Sequence, residues 1–101
     1  MNQKFLNFLG LANRAGALVT GTELVLNGVR AQRVKLVVID ASVSDSTLKK
    51  VKDKCKFYNV EIVQLPESVS LGSTIGSENR KVVGVVDKNF ANGLKEKLSS
   101  E

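Results

Sequence analysis

The segment Thr20-Gly21-Thr22-Glu23 opens a predicted amphipathic helix, and the start of a helix can bind an anion such as phosphate. Thr20 and Glu23, three residues apart, form a capping-box pattern that predicts where the helix begins. The free backbone amides and the positive dipole end of such a helix attract anions, and Gly21 leaves room beneath them. Two interpretations stay open: the segment binds a phosphate, or it only caps the helix.

A second glycine-containing segment, residues 71–76, has the sequence LGSTIG. It matches neither the Walker phosphate loop nor the G-x-G-x-x-G dinucleotide fingerprint. In the ligand interpretation, Gly72 and Ser73 lie at a binding surface. In the structural interpretation, Gly76 ends a short helix and Gly72 lets that helix approach its neighbour closely.

Polar residues follow the predicted helix that ends at residue 75 and the predicted strand that ends at residue 39. In the loop 77–81, which begins with Ser77, the side chains of Arg80 and Lys81 can reach a phosphate. Asp40 ends a buried strand at its carboxyl end, where α/β proteins often place ligand groups, and Ser42 follows two residues later. One unpaired carboxylate, however, does not supply general acid–base chemistry.

The composition excludes most catalytic and metal chemistry. The 101 residues contain no His and a single Cys, so no zinc or haem ligand set and no Ser-His or Cys-His pair can form. Cys55 falls on the apolar side of a predicted helix, which is typical of a core residue. No catalytic site, metal, cofactor or small-molecule substrate is therefore expected.

The apolar segments are too short for a membrane protein. No apolar run approaches the length of about eighteen residues that a membrane-spanning helix needs. The first fourteen residues alternate polar and apolar side chains and lack the apolar centre of a signal peptide. These patterns predict a soluble, cytoplasmic protein without membrane contact.

Positive charge is the compositional feature that points to a partner. Fifteen Lys/Arg stand against ten Asp/Glu, and the first fifty residues hold a net +4 of the total +5. A basic surface favours polyanions such as nucleic acid. Arg30, Arg33 and Lys35 are predicted to form a basic rim near the helix start at Gly21. A further group of lysines is interpreted as the solvated face of the third helix: Lys49, Lys50, Lys52, Lys54 and Lys56.

Hydrophobic periodicity predicts helices that alternate with β-branched runs. The predicted helices are residues 2–15, 20–32, 44–58, 67–75 and a last helix capped by Asp87; the predicted strands are residues 18–20, 34–39, 60–65 and 82–86. This order predicts one domain over residues 1–101 of the α/β class. Its architecture is a three-layer α/β/α sandwich with a central mixed sheet of about four strands.

The second predicted helix has an unusual outer side. Its exposed face carries Asn27, but Leu24, Gly28 and Ala31 form an apolar strip away from the core. Such positions are normally polar in a helix that faces water. The strip suggests an alternative function, in which the protein packs against a partner helix and makes no nucleic-acid contact of consequence.

Nearly the whole chain resembles the L7Ae/L30e family of ribosomal proteins in order and spacing. The matching segments are Gly21-Thr22-Glu23, residues 35–39, residues 53–55 with 58–60, and residues 71–76. Residues 9–15, 85–87 and 90–91 resemble more specifically the bacterial branch of this family known as YlxQ. The resemblance implies an α/β/α sandwich that binds kink-turn RNA, a sharp bend flanked by sheared G·A pairs.

In kink-turn binders of this family the corresponding helix opens Gly-x-Asn-Glu-x-x-Lys, and the three polar side chains contact the bend. With the glycines matched at Gly21, those positions hold Glu23, Leu24 and Asn27, so none of the three is kept. The resemblance therefore implies contact through backbone amides, shape and phosphates.

These patterns and the resemblance predict a non-catalytic, ribosome-associated protein that binds structured, kink-turn-like RNA, with a ribosomal protein as a further candidate partner. The alternative is a protein-interaction module on the same scaffold without significant RNA binding. The predicted RNA-binding residues are Gly21, Thr22, Glu23, Asn27, Arg30, Arg33, Lys35, Ser42, Gly72, Ser73, Ser77, Arg80 and Lys81.

Overall fold

A computed structural model describes residues 2–99 of the chain, which form five helices and four strands. Within these residues, no helix is long and apolar enough to span a membrane. In chain order the elements are α1 (Gln3–Arg14), β1 (Leu18–Thr20), α2 (Thr22–Arg30), β2 (Leu36–Ile39), α3 (Asp45–Phe57), β3 (Glu61–Gln64), α4 (Leu71–Ile75), β4 (Val82–Val85) and α5 (Lys88–Ser99).

The four strands form one mixed sheet in the order β1-β4-β2-β3. β2 and β3 are parallel, whereas β4 runs antiparallel to both of its neighbours. Ile39 pairs with Val82 and Thr20 with Val83, so the end of β1, the end of β2 and the start of β4 lie at one edge of the sheet. The predicted mixed sheet of about four strands is confirmed.

Both faces of the sheet are covered, because the side chains of β2 alternate between two hydrophobic clusters. Leu36 and Val38 pack with residues of α1, α4 and α5 on one face. Val37 and Ile39 pack with residues of α2 and α3 on the other face, where Cys55 is also buried. The predicted three-layer sandwich and the core position of Cys55 are therefore confirmed.

Short polar side chains set the starts of several helices. Asn2 accepts a hydrogen bond from the Lys4 amide at α1, and Ser44 accepts one from Thr47 at α3. Asp87 accepts one from Phe90 at α5, which confirms the predicted cap of the last helix. These caps satisfy amides that have no partner within the helix.

The fourth helix is shorter than predicted. It was expected over residues 67–75 but begins at Leu71, because Ser70 caps it through the amide of Ser73. The preceding residues form a turn in which the Val69 amide donates to the carbonyl of Pro66. Its predicted end is confirmed, since Gly76 has the left-handed backbone (φ 71°) that terminates a helix.

β2 also begins later than predicted, at Leu36, because Val34 is held against α2. The Val34 amide donates to the carbonyl of Gly28 at 3.1 Å. A Cβ at Gly28 would lie 2.5 Å from Cγ2 of Val34, and a Cβ at Gly84 would lie 2.9 Å from the same atom. Gly28 is therefore buried in an internal contact. The predicted apolar strip of Leu24, Gly28 and Ala31 is wrong in this respect.

We expect Gly28→Ala to destabilise the fold by about 1–3 kcal/mol, although alanine favours helices, because Val34 is β-branched and held between two glycines. Val34→Ala should relieve the clash. The double variant should then lose less stability than the sum of the two single losses, as measured by urea unfolding. Additive losses would contradict this packing account.

Candidate functional site

α2 begins at a glycine that turns the chain sharply out of the sheet. Gly21 occupies the N-cap position with φ 97° and ψ 144°, a backbone that side-chain-bearing residues rarely adopt. Thr20 is the last residue of β1 and pairs with Val83. The predicted Thr20–Glu23 capping box is therefore wrong, because strand pairing holds Thr20 and the cap residue has no side chain. The first amides of α2 are consequently available to a ligand.

Arg80 lies against this helix start. A Cβ on Gly21 would be 3.3 Å from Nη1 of Arg80, so only a glycine leaves the guanidinium its present position without crowding. The Gly21 amide donates to the carbonyl of Val82 at 2.9 Å, which ties the helix start to β4. A cation with five donors thus lies beside the amide end of α2.

The carboxylate of Asp40 joins the remaining segments. Asp40 is only 6% exposed. One of its oxygens accepts from the Leu71 amide at 2.8 Å, which is the start of α4. The other accepts from the amide and the hydroxyl of Ser42 and lies 3.8 Å from Nζ of Lys81. The loop 40–43, α4 and the loop 77–81 therefore meet at one buried charge.

Burial by itself would raise the pKa of Asp40, but the hydrogen bonds from Ser42 and Leu71 and the charge of Lys81 outweigh it. The pKa of Asp40 is therefore lowered below its ordinary value, and the group is ionised at neutral pH. The expectation of an unpaired carboxylate is wrong. The missed signal was local, since Asp followed by Ser two residues later is typical of a turn closed by its own side chain.

Gly72 explains how the loop 77–81 sits so close to α4. A Cβ on Gly72 would lie 2.7 Å from Cα of Glu78 and 2.9 Å from the carbonyl oxygen of Ser77. The Ser77 amide donates to the carbonyl of Gly72 at 2.8 Å. The structural interpretation of this glycine is confirmed, although its close neighbour is a loop. The Ser73 amide is already bonded to Ser70, so α4 presents hydroxyls more than free amides.

Most of the predicted RNA-binding residues come together at this edge of the sheet. We call this group the α2-start surface. Its members are Gly21, Thr22, Glu23, Ser42, Gly72, Ser73, Ser77, Arg80 and Lys81. Asn27 lies further along α2 and is exposed.

The predicted basic rim does not belong to the α2-start surface. Arg30 is the last residue of α2, about 13 Å along the helix from Gly21. The Lys35 amide donates to the carbonyl of Val85, at the end of β4 that is remote from Val82. Arg33 lies in the connection between them. The prediction failed because the chain travels the full length of α2 before it turns into β2.

Together with the neighbouring Asp40 and Glu78, the α2-start surface has no net positive charge. Arg80 is exposed, but Lys81 faces the Asp40 carboxylate, and the acidic residues Glu23 and Glu78 are exposed nearby. Within residues 2–99, no group of three or more potential metal ligands comes together. Burial raises the pKa of the Cys55 thiol to about 11, so this group is protonated at neutral pH. The groups at this surface that can bind an anion are the first backbone amides of α2 and the guanidinium of Arg80.

We expect Asp40→Asn to lower the free energy of unfolding at pH 7 by about 1.5–3 kcal/mol, because an amide places a donor against donors. The Asp40 carboxylate has a lowered pKa, so it stabilises the fold above the unfolded-state pKa of about 3.9 and loses that effect as pH falls through its folded pKa. The difference between the variant and wild type should therefore shrink in acid.

Urea unfolding at pH 7 and at acidic pH measures this difference. Asp53→Asn is the matched control, because Asp53 forms an exposed ion pair with Lys49 that contributes little. If Asp40→Asn lowers the free energy of unfolding by the same amount at both pH values, the assigned role of the Asp40 carboxylate is contradicted.

Comparisons with known proteins agree with this fold. A model of the Ribosomal protein L7Ae/L30e/S12e/Gadd45 family matches residues 3–95. A curated relative from Bacillus subtilis (strain 168), named RNA-binding protein YlxQ, is 46% identical over 86 residues, which cover 85% of this chain and 86% of the relative. A relative of the same name from Enterococcus faecium is 43% identical over 94 residues, covering 93% and 90%.

Solved structures show the same architecture. A protein of unknown function from Bacillus halodurans superposes with a TM-score of 0.87 and 36% identity, covering 95% of this chain and 97% of that one. The Giardia lamblia 15.5kD RNA binding protein, at 18% identity, shows the fold alone, with a TM-score of 0.81 and coverage of 97% and 84%. The resemblance found in the sequence, including its YlxQ branch, is confirmed. The chain belongs to the ribosomal protein L7Ae/L30e/S12e/Gadd45 family.

Proposed function

We propose that this chain is a non-catalytic, cytoplasmic RNA-binding protein that associates with the ribosome and engages kink-turn-like RNA through the α2-start surface. The observation that carries the proposal is the position of Arg80. Its guanidinium lies against Gly21, beside the amide end of α2. Two relatives that each match most of the chain have RNA-binding in their names, which supports the same conclusion.

Phosphate is the ligand that this geometry suits. A phosphate at the start of α2 would accept from free backbone amides and from a forked guanidinium at the same time. The hydroxyls of Ser73 and Ser77 add donors at the same edge. Such contacts position an RNA backbone but do not distinguish bases. A bend brings several phosphates to one small surface, so the proposed selectivity is for the shape of the RNA.

Leu24 limits what the surface can recognise. It is 60% exposed in the first turn of α2 and offers no hydrogen bond to a base. Glu23 beside it is exposed and acidic, so it opposes phosphate contact. We therefore propose that Arg80 and the amides of α2 supply most of the affinity, and that affinity depends only modestly on salt.

A protein partner is the second candidate function, and one observation favours it. Exposed Leu24 borders a hollow of about 300 Å³ that is also lined by Val19 and Val86. A ribosomal protein could place an apolar side chain there. A partner that is retained from a ribosome-containing lysate after nuclease treatment, and lost in Leu24→Asp, would favour this function over RNA binding.

We expect a kink-turn RNA to bind about tenfold more tightly than a straight duplex of equal length, a difference of about 1.4 kcal/mol. The preference should persist at both a low and a high salt concentration, because it arises from shape. Titration by fluorescence anisotropy measures it. Equal affinity for the two RNAs at both salts would contradict kink-turn recognition, and no binding at low salt would contradict RNA binding itself.

We expect Arg80→Ala to weaken kink-turn RNA binding and to flatten the dependence of log K on log salt by about one unit, since one phosphate contact is lost. Arg80→Lys should keep the slope but lose part of the affinity, because lysine lacks the forked guanidinium. Arg33→Ala removes the same charge outside the α2-start surface and is the matched control. If the salt slope is flatter in Arg33→Ala and unchanged in Arg80→Ala, the RNA contacts the predicted basic rim and not the α2-start surface.

A further inference from the structure

The edge of the sheet opposite the α2-start surface carries an exposed aromatic side chain. Phe57 is the last residue of α3 and is 79% exposed. Its ring packs edge to face on Tyr58, with 4.9 Å between the ring centroids and an angle of 73° between the planes. The Phe57 ring thus contacts Tyr58 while most of its side chain stays open to solvent. Burial in the core does not account for such a residue.

Lysines border this aromatic pair on α3. A hollow of about 520 Å³ is lined by Lys50, Asp53, Lys54, Phe57 and Tyr58. The lysines precede Phe57 by seven and three residues, so the helix places them on the same face as the ring. Asp53 is the one acidic residue in this lining. Its Oδ2 lies 3.1 Å from Nζ of Lys49, so the charge of Lys49 offsets that of Asp53.

The other side of the pair is basic as well. Tyr58 also lines a neighbouring hollow of about 290 Å³ together with Lys35 and Gln32. Nζ of Lys35 donates to the Gln32 carbonyl at 2.9 Å and stays exposed. Of the three cations expected to surround the start of α2, Lys35 is therefore found here. We call this surface the far edge; it comprises Lys35, Lys50, Lys54, Phe57 and Tyr58.

We propose that the far edge is a second nucleic-acid site, which binds a single-stranded RNA segment. An unpaired base stacks on the exposed ring of Phe57, and the phosphates on either side of that base contact Lys50 and Lys54 on one side and Lys35 on the other. An aromatic platform flanked by cations is the combination that single strands require. Protein interfaces are depleted in lysine at their centres, so the lysine border favours RNA over a protein partner.

The far edge is separate from the α2-start surface. The thirteen residues of α3 extend about 19 Å and carry the chain from Ser44, near Asp40, to Phe57. The two surfaces can therefore hold different parts of one RNA or different RNAs. The far edge also needs neither Arg80 nor the amides of α2, so it can be tested independently of the proposed function.

The experiment titrates the full chain with a labelled ten-nucleotide oligouridine at two salt concentrations. Phe57→Ala should weaken binding about tenfold, the factor expected for the loss of one stacked base. Phe57→Tyr keeps an aromatic ring and should bind like wild type. Lys54→Ala should flatten the salt slope by about 0.7 unit, the value for one phosphate contact to a single strand. Lys52→Ala is the matched control, since Lys52 lies about 160° away from Lys54 around α3.

Each outcome decides the proposal. Loss of oligouridine binding in Phe57→Ala, with kink-turn RNA binding unchanged, supports a separate single-strand site. Equal oligouridine affinities for wild type and Phe57→Ala overturn it, as does no binding of oligouridine at low salt. A nuclease-resistant protein partner that is lost in Phe57→Ala, with oligouridine binding unchanged, assigns the far edge to a protein and also overturns it. If Arg80→Ala leaves kink-turn RNA binding unchanged while Phe57→Ala weakens oligouridine binding, the proposed function of the α2-start surface fails. The proposal for the far edge then still holds.

Discussion

The buried carboxylate of Asp40 is the interaction on which the α2-start surface depends. A charge removed from water is costly unless hydrogen bonds and an opposite charge replace the lost solvent. Asp40 meets this requirement with the Ser42 amide and hydroxyl, the Leu71 amide and the Lys81 ammonium group. Ser42 is close to Asp40 in sequence, whereas Leu71 and Lys81 belong to distant segments, so three segments of the chain meet at this carboxylate. None of the three loops can move away without leaving a buried charge short of a partner, so the surface is held in one arrangement before any ligand arrives.

The fold was predictable because its signals are local and agree with one another. The buried run of β2 and the cap Asp87 each determine a nearby element, and the structure confirms both. The candidate site was less predictable, because its geometry depends on strand pairing. Thr20 has the composition of a cap but is held in β1 by Val83. Lys35 is close to Asp40 in sequence, yet the length of β2 separates them. No local sequence pattern predicts the pairing of Thr20 with Val83 or the distance between Lys35 and Asp40.

The distribution of charge changes the meaning of the net charge of +5. A basic composition favours nucleic acid in general, but it does not say where on the molecule the partner lies. At the α2-start surface, Arg80 is accompanied by exposed Glu23 and Glu78. The far edge is more basic and carries an open aromatic ring. Positive side chains are thus concentrated at the far edge, whereas free backbone amides lie at the α2-start surface. The two surfaces therefore offer different chemical groups to a ligand.

The central position of β4 has a consequence for how the chain folds as it is made. β4 lies between β1 and β2, and its pairs join Leu18 to Val85 and Ile39 to Val82. Until residues 82–85 have emerged from the ribosome, β1 has no partner and one edge of β2 is open. Pairing between such distant segments is slow because long loops must close first. A nascent chain therefore carries an exposed sheet edge until β4 inserts, and the same event delivers Arg80 and Lys81 to Gly21 and Asp40.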